Sequence, residues 1–184
     1  MKIFFFIFYF LLICTNLSAS DKKYIINKLN NIDNLSFNFI QSINKKKEIG
    51  KCLISFPKKI YCEYNNRNKK ILVSDGKNLI IKNRLNDQIY FYPLKSTPLS
   101  KILDKEYLIN NIKNLEERII DEKFVNFTLE DEKNIINIFF YKKTLNLVGW
   151  QIEDSYRNLV ITHITNLSIN EKLNKDLFNL SKYN

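Results

Sequence analysis

The chain has 184 residues, of which 45% are hydrophobic and 14% aromatic, and its formal net charge is +10 at pH 7. This length suits one domain, and beyond the N-terminus no apolar run is long enough to span a bilayer. The lysines are scattered over predicted strands and turns, so the charge does not predict a nucleic-acid partner. Attraction to anionic lipid head groups stays open.

The first twenty residues have the pattern of a cleavable signal peptide. Lys2 supplies a positive charge, residues 3–13 form an unbroken apolar run, and residues 18–20 are the small Ser, Ala and Ser. We therefore expect residues 1–20 to be removed and residues 21–184 to form a single exported domain. A retained N-terminal anchor is the alternative. Lipidation of Cys14 is disfavoured, because Ile13 stands where a small residue is required.

The predicted domain begins with a helix and one strand. Residues 21–32 predict a helix, since Ile25, Leu29 and Ile32 recur at the spacing of one helical face, and Ser20 or Asp21 can cap it. Residues 35–43 alternate as a strand, whose inward side carries the sequence Leu, Phe, Phe, Gln at every second position. This strand therefore has one markedly aromatic face.

A meander of antiparallel strands is predicted next. Five β-type runs, at residues 50–57, 60–64, 71–77, 78–82 and 88–94, are separated by short turn signals, which allow only antiparallel neighbours. Asp75-Gly76 predicts a type I′ hairpin turn, which needs φ > 0 at both central residues. A brief helical segment begins at Pro98, in the first turn, where proline costs no hydrogen bond.

The second half of the chain returns to strands after an ambiguous stretch. Residues 104–115 predict either a short helix or a loop. Strands are predicted at residues 118–120, 124–129, 135–141, 145–153 and 159–169, with turns at 131–134 and 154–158 and a mixed tail with room for one short strand. About ten antiparallel strands must curl, and the helices near Tyr24 and Leu99 are available to cover the concave face.

Two cysteines remain in the predicted domain. Cys52 and Cys62 lie directly opposite each other if the intervening turn is centred on Pro57. An exported compartment permits a disulfide between such a cross-strand pair. Two buried, unbonded small residues are the alternative.

Catalytic chemistry is poorly represented in the sequence. His163 is the one histidine, it lies in an alternating strand, and a zinc site would need further ligands. There is no G-x-S-x-G motif, and three glycines are too few for a phosphate-binding loop. We therefore expect neither an enzyme nor a cofactor or metal site.

A curved apolar surface remains as the candidate site. It is either an ordinary hydrophobic core or a lipid cavity that the protein's own side chains leave unfilled. The candidate lining residues are Phe37, Phe39, Ile54, Phe56, Ile60, Cys62, Leu79, Ile81, Ile89 and Phe91. The candidate lid residues on the covering helices are Ile25, Leu29, Leu99, Ile102 and Leu103.

Five short motifs follow one another in a characteristic order. They are F-x-Q at Phe39 to Gln41, a hairpin from Gly50 through Pro57 to Tyr64, V-x-D-G from Val73, a segment from Gln88 through Tyr92 and Thr97 to Leu103, and a closing pattern with Asp154, Thr162 and Asn166 to Phe178. Together they resemble the periplasmic outer-membrane lipoprotein carrier family, LolA. The resemblance covers nearly the whole predicted domain.

The chain departs from this family's pattern at three places. Cys62 replaces the hairpin tryptophan, and Phe56 stands where some members have a basic residue before the proline, with Lys58 and Lys59 after it. Arg157-Asn158 replaces the usual turn glycine. These departures bear on how a lid is latched and how wide the cavity is.

The resemblance implies a mainly β fold, an open half-barrel of antiparallel strands covered by short helices. It also implies a periplasmic carrier that moves acylated lipoproteins from an inner-membrane ABC-type release complex to an outer-membrane acceptor. We expect it to act as a monomer. The alternative is an exported, non-enzymatic lipid- or protein-binding sensor module of the same fold.

Overall fold

The computed structural model of the chain describes residues 20–67, 69–130, 135–154 and 157–183. The α-helices are α1 (Asp21–Asn30), α2 (Leu99–Ile102) and α3 (Lys105–Asn114). The strands are β1 (Asn34–Ile43), β2 (Lys46–Ser55), β3 (Lys59–Tyr64), β4 (Ile71–Asp75), β5 (Asn78–Lys82), β6 (Ile89–Pro93), β7 (Arg118–Ile120), β8 (Phe124–Glu130), β9 (Ile135–Tyr141), β10 (Leu147–Glu153) and β11 (Leu159–Ile169).

Parts of the sequence-based prediction lie outside the described residues, namely the signal peptide up to residue 19, the turn at residues 131–134 and residues 155–156 of the turn at 154–158. Within the described ranges, each helix is too short and too polar to cross a membrane. The ambiguous stretch after residue 104 is a helix, α3, which buries Leu108, Ile109 and Ile112.

All eleven strands belong to one antiparallel sheet in the order β6-β5-β4-β3-β2-β1-β11-β10-β9-β8-β7. The sheet consists of two consecutive meanders, β1–β6 and β7–β11, which are joined by the β1–β11 ladder. The edge strands β6 and β7 do not pair with each other, so the barrel stays open. The predicted fold class, a mainly β open sheet with short covering helices, is confirmed.

The sheet curls strongly enough to bring its two arms together. Five strands lie between β5, which carries Leu79, and β10, which carries Ile152, yet both residues line the same cavity. Alternation then decides which side chains face inward: Leu35, Phe37 and Phe39 of β1 are buried on the concave side. The three helices contribute to the same buried cluster and cover one end of this concave face.

The C-terminal tail packs on the opposite, convex face. Residues Lys175–Phe178 and Leu180–Lys182 form 3-10 turns, and no strand follows β11 within the described residues up to 183. Phe178 and Tyr183 bury a second apolar cluster with Tyr61, Val73 and Ile80. The one short strand that the sequence left room for is therefore absent from this described tail, which folds over the outside of β3–β5.

The β4–β5 hairpin differs from the predicted type I′ turn. The two residues between the strands are Gly76 and Lys77, and only Gly76 has a positive φ, of 103°. Asp75 ends β4, and its side chain accepts hydrogen bonds from the backbone N–H groups of Lys77 and Asn78, both at 2.8 Å. The turn is thus shifted by one residue. Asp75 is the last residue of β4 and not a central turn residue, and its carboxylate accepts hydrogen bonds from the backbone of the turn.

Asp104 joins α3 to the β2–β3 turn. Its side chain accepts a hydrogen bond from the Tyr107 backbone N–H at 3.1 Å, which caps the helix, and it also lies 2.9 Å from Nζ of Lys58. Burial alone would raise the pKa of the Asp104 carboxyl, but the hydrogen bonds from Lys58 and the Tyr107 backbone hold this pKa below its ordinary value. The ionised form therefore stabilises the fold.

Replacing Asp104 by Ala should lower the free energy of unfolding by about 1–2 kcal/mol at pH 7, the usual cost of a lost N-cap. Because the folded-state pKa lies below the unfolded value of about 3.9, this stabilisation is present above that pH and is lost as pH falls through the folded-state pKa. Urea unfolding from pH 7 to pH 3 tests this, with Asp104→Asn as the control that retains a capping oxygen. A D104A deficit that does not shrink on acidification would contradict the role of the charge.

Candidate functional site

The concave face is divided into a filled half and an open half. In the filled half, α1 and α2 pack against the sheet around Ile25, Leu29, Ile54 and Ile102, and the remaining space is only ≈ 30 Å³. A gap of that size holds about one water molecule. This half is therefore ordinary hydrophobic core.

The open half contains a cavity of ≈ 370 Å³. This volume lies in the range of small-molecule binding sites. Its lining is mainly aliphatic and aromatic, and it is contributed by both arms of the sheet and by the start of α2. The lining residues are Phe39, Gln41, Ile43, Cys52, Ile60, Cys62, Tyr64, Lys70, Leu72, Leu79, Ile81, Tyr92, Thr97, Pro98, Leu99, Trp150, Ile152, Asp154, Val160 and Thr162.

The structure places the predicted lining residues in different environments. Half of them line the open cavity: Phe39, Ile60, Cys62, Leu79 and Ile81. Ile54 and Phe56 line the narrow space of the filled half. Phe37 is buried in the core, where its ring meets Trp150 edge-on at 6.2 Å between centroids. Of the predicted lid residues, Leu99 reaches the cavity, whereas Ile25, Leu29, Ile102 and Leu103 belong to the filled core.

The prediction that Ile89 and Phe91 line the cavity is wrong. On β6, Tyr92 pairs with Leu79 and Phe91 pairs with Ile80. Directly paired residues share a face of the sheet, so Tyr92 lies on the concave side with Leu79, and Phe91 lies on the convex side with Ile80. Phe91 and Ile89 are 58% and 37% exposed.

A ring pair over a glycine forms one wall of the cavity. Gly50 on β2 pairs with Phe39 on one side and with Tyr64 on the other. The two rings meet above it edge-on, at 4.9 Å between centroids. A Cβ on Gly50 would lie 2.7 Å from the Phe39 ring and 2.1 Å from the Glu63 carbonyl oxygen. The absence of a side chain at Gly50 is therefore what allows Phe39 and Tyr64 to meet.

Polar side chains bond one another at one end of the cavity. The Tyr64 hydroxyl donates to Gln41 at 3.3 Å, and the Gln41 amide donates to Thr162 at 3.1 Å. Lys70 lies 3.8 Å from the centroid of the Tyr64 ring and donates to Glu48 at 2.6 Å. Burial, and secondarily the Glu48 charge, raise the pKa of the Tyr64 hydroxyl, which keeps its proton at neutral pH.

This arrangement gives the cavity a polar end and an apolar end. The polar side chains lie where β1, β3 and β11 reach the β1–β2, β3–β4 and β10–β11 turns. The apolar end reaches inward to Leu79, Leu99 and Trp150. An amphiphile would fit with its head group at the turns and its chain toward α2.

A disulfide joins Cys52 of β2 to Cys62 of β3 and contributes to the cavity wall. The two residues are direct cross-strand partners, as the turn at Pro57 predicted. Of the two alternatives that the sequence left open, the structure has the bonded pair.

Breaking this disulfide should lower the free energy of unfolding. The bridge closes a loop with a sequence separation of 10 residues, and restricting such a loop in the unfolded chain is worth about 2–3 kcal/mol. Urea unfolding with and without reductant measures the difference. The double variant Cys52→Ser, Cys62→Ser is the control and should not respond to reductant. An unchanged midpoint for the original protein in reductant would contradict the prediction.

Sequence reasoning missed most of the second arm of the sheet. Trp150, Ile152, Val160 and Thr162 line the cavity, yet no inward face was assigned to β10 or β11. The sequence of β11 carries no clear signal, because Val160, Thr162 and Ile164 on the inward side alternate with Ile161, His163 and Thr165, and both sides mix polar and apolar residues.

No group of three or more His, Cys, Asp and Glu side chains that could hold a metal ion occurs in the described part of the chain. His163 pairs with Ile40, which is 41% exposed, on the convex face, away from the cavity.

Comparison with known proteins gives one family and a set of similar folds. The model of a family described as outer membrane lipoprotein carrier protein LolA matches residues 30–181. A search of curated proteins finds no match.

Solved structures resemble the chain at low sequence identity. An uncharacterized conserved protein from Thermus thermophilus is 9% identical with a TM-score of 0.53, covering 86% of this chain and 93% of that one. A LolA superfamily protein from Nitrosomonas europaea is 9% identical with a TM-score of 0.43, covering 89% and 100%. The MucA/MucB complex of Pseudomonas aeruginosa matches at 11% identity and a TM-score of 0.46, covering 89% and 62%. At 9% identity, the similarity to the Thermus thermophilus protein shows a shared fold and nothing more.

Proposed function

We propose, from the premise that the chain belongs to the LolA family of outer membrane lipoprotein carrier proteins, that it binds the acyl chains of lipoproteins in the open cavity and carries them across the periplasm. Its partners would be acylated lipoproteins, an ABC-type release complex in the inner membrane and an acceptor at the outer membrane. Export by a cleaved signal peptide ending near residue 20, leaving residues 21–184 as a single carrier domain, belongs to the same proposal.

The observation that carries this proposal is the unfilled half of the concave face. Protein interiors are close-packed, and large empty spaces are rare. Here a cavity of ≈ 370 Å³ stays open although Phe39, Ile60, Leu79 and Leu99 surround it. A cavity wall that leaves such a volume open stabilises the empty protein less than a filled core would. A ligand that fills the cavity can therefore gain the burial free energy that the empty protein lacks.

Acyl chains are the ligand class that this lining fits best. Burying an acyl chain gains about 0.8 kcal/mol per CH₂, and the cavity wall is mainly aliphatic and aromatic. Most of the polar side chains lie at one end, around Gln41 and Tyr64, and Thr97 lies beside Leu99 at the other. The acyl chains would lie toward Leu99, and the polar head of the cargo would lie at the turns.

Release must be possible as well as capture. Leu99 reaches the cavity from α2, a helix of four residues that follows Pro98. Ile25, Leu29, Ile102 and Leu103 instead anchor the covering helices to the core. We infer that α1 and the end of α2 stay on the core and that the start of α2, before Ile102, is the part that yields to cargo.

The direct test is transfer of cargo. Purified protein is added to spheroplasts that hold a newly made lipoprotein, and the soluble fraction is examined for a one-to-one complex. We expect the lipoprotein to appear in solution with the carrier, and a non-acylated form of the same lipoprotein to give no complex. Complex formation that does not depend on acylation would contradict the carrier proposal and favour a protein-binding module.

A further inference from the structure

Two neighbouring turns at the polar end of the cavity carry a cluster of cations. These are the β1–β2 turn with the start of β2, and the β3–β4 turn. We call this cluster the basic mouth patch. Its members are the exposed side chains of Lys45, Lys46, Lys47, Arg67 and Lys69.

The two turns form one surface. Lys46, Lys47, Asn66 and Arg67 line the same open depression. Lys70 lies at its edge and also lines the cavity, as does Ile43. The basic mouth patch therefore adjoins the cavity at its polar end.

The positive charge of this patch is not neutralised by its neighbours. Glu48 already accepts hydrogen bonds from Lys70 at 2.6 Å and from Asn66 at 3.0 Å. Glu153, at the end of β10, pairs with Arg157 at 3.2 Å. None of the five patch cations forms an ion pair with any described residue.

Exposed aliphatic side chains lie beside the patch on the outer face of the sheet. Ile49 is 50% exposed and directly pairs with Ile40, which is 41% exposed. Lys47 lies two residues before Ile49 on the same side of β2. Cations flanked by exposed aliphatic groups suit a lipid head-group layer, where the charge meets anionic lipids and the aliphatic groups enter the interface.

We propose that the basic mouth patch docks this protein on the surface of a membrane containing anionic phospholipids. The patch presents exposed lysine and arginine side chains without the fixed, buried hydrogen-bond partners that would select one protein face. Docking would place the polar end of the cavity against the bilayer, from which acyl chains enter or to which they return. This inference extends the proposed carrier function, although the docking step itself needs no cargo.

The test measures binding of cargo-free protein to vesicles by sedimentation. One set of vesicles is phosphatidylcholine alone, and the other also contains phosphatidylglycerol. The patch variant carries Lys46→Gln, Lys47→Gln and Arg67→Gln. The matched control carries Lys142→Gln, Lys143→Gln and Lys172→Gln, three exposed lysines at the opposite end of the sheet. Both triple variants have the same net charge.

We expect the unmodified protein to bind the anionic vesicles and to be released from them by salt. It should not bind vesicles of phosphatidylcholine alone. Each cation at an anionic surface is worth about fivefold in binding, so the patch variant should bind about 100-fold more weakly. The control should lose far less. Equal loss in both variants would overturn the proposal, since net charge alone would then explain binding. No binding by the unmodified protein would overturn it too and would favour an acidic protein face as partner.

Failure of membrane docking can be distinguished from failure of the carrier function. Capture of detergent-solubilised lipoprotein requires the cavity and not the patch, so the patch variant should capture it normally. A patch variant that fails in capture as well would contradict the assignment of separate roles to patch and cavity.

Discussion

Replacing Ile81 by Trp is expected to weaken binding of a fluorescent acyl chain by about tenfold or more while leaving the protein as stable as before. Ile81 is half-buried on β5 and lines the open cavity. An indole there would occupy volume that the ligand needs, and excluding even two CH₂ groups from burial costs about 1.6 kcal/mol, roughly tenfold in affinity. Because the space is empty in the free protein, the larger ring need not displace packed neighbours.

The same substitution in the filled half is the control. Ile138 is 1% exposed and lines the narrow space beneath the covering helices. Ile138→Trp should destabilise the protein by about 1–3 kcal/mol, since a well-packed core cannot admit the extra volume. Titration with the acyl probe and urea unfolding measure both variants. Normal acyl binding by a folded I81W protein would show that the cavity is not the acyl site.

Truncating Phe127 should produce the largest loss of stability, about 3–5 kcal/mol for Phe127→Ala. The Phe127 side chain is fully buried and packs edge-on against Phe140 at 6.2 Å between centroids. Removing it leaves a void that the surrounding strands can fill only in part. Acyl binding by the remaining folded protein should be unchanged, because Phe127 does not line the cavity.

Phe39→Ala is the matched truncation in the cavity wall. Phe39 is only 2% exposed, but it packs edge-on against Tyr64 and also lines the open cavity, so its truncation enlarges an existing space instead of creating a separate void. We expect a smaller loss of stability than for Phe127→Ala and a clear loss of acyl affinity. If the two truncations destabilise equally and both leave acyl binding intact, Phe39 is an ordinary core residue.

The fold was largely predictable because strands and turns have strong local signals. Alternation in β1 and the cross-strand placement of Cys52 and Cys62 predicted register as well as position. Alternation failed on β6, where Ile89, Tyr90, Phe91 and Tyr92 are all apolar or aromatic. A strand without polar residues carries no mark of which side faces inward, and the faces were assigned the wrong way round.

The division of the concave face was not predictable from composition. Ile54 and Ile60 are the same residue type and directly pair across β2 and β3. Ile54 nevertheless belongs to the filled half and Ile60 to the open cavity. What separates them is where α1 and α2 end on the sheet, which depends on tertiary contacts such as those of Lys105 with the carbonyl groups of Asn30 and Ile32. The residue pattern around Ile54 and Ile60 does not predict such long-range contacts.

The single ladder between β1 and β11 also sets an order of folding. Within each meander the strands pair with neighbours in sequence, so those hairpins can form early. Gln41 and Thr162, which bond across the ladder, are 121 residues apart, and closing so long a loop is entropically costly. Until β11 has been synthesised and docked, β1 presents an unpaired edge that invites aggregation. The cavity, whose walls come from both meanders, therefore exists only after the last strand has paired with the first.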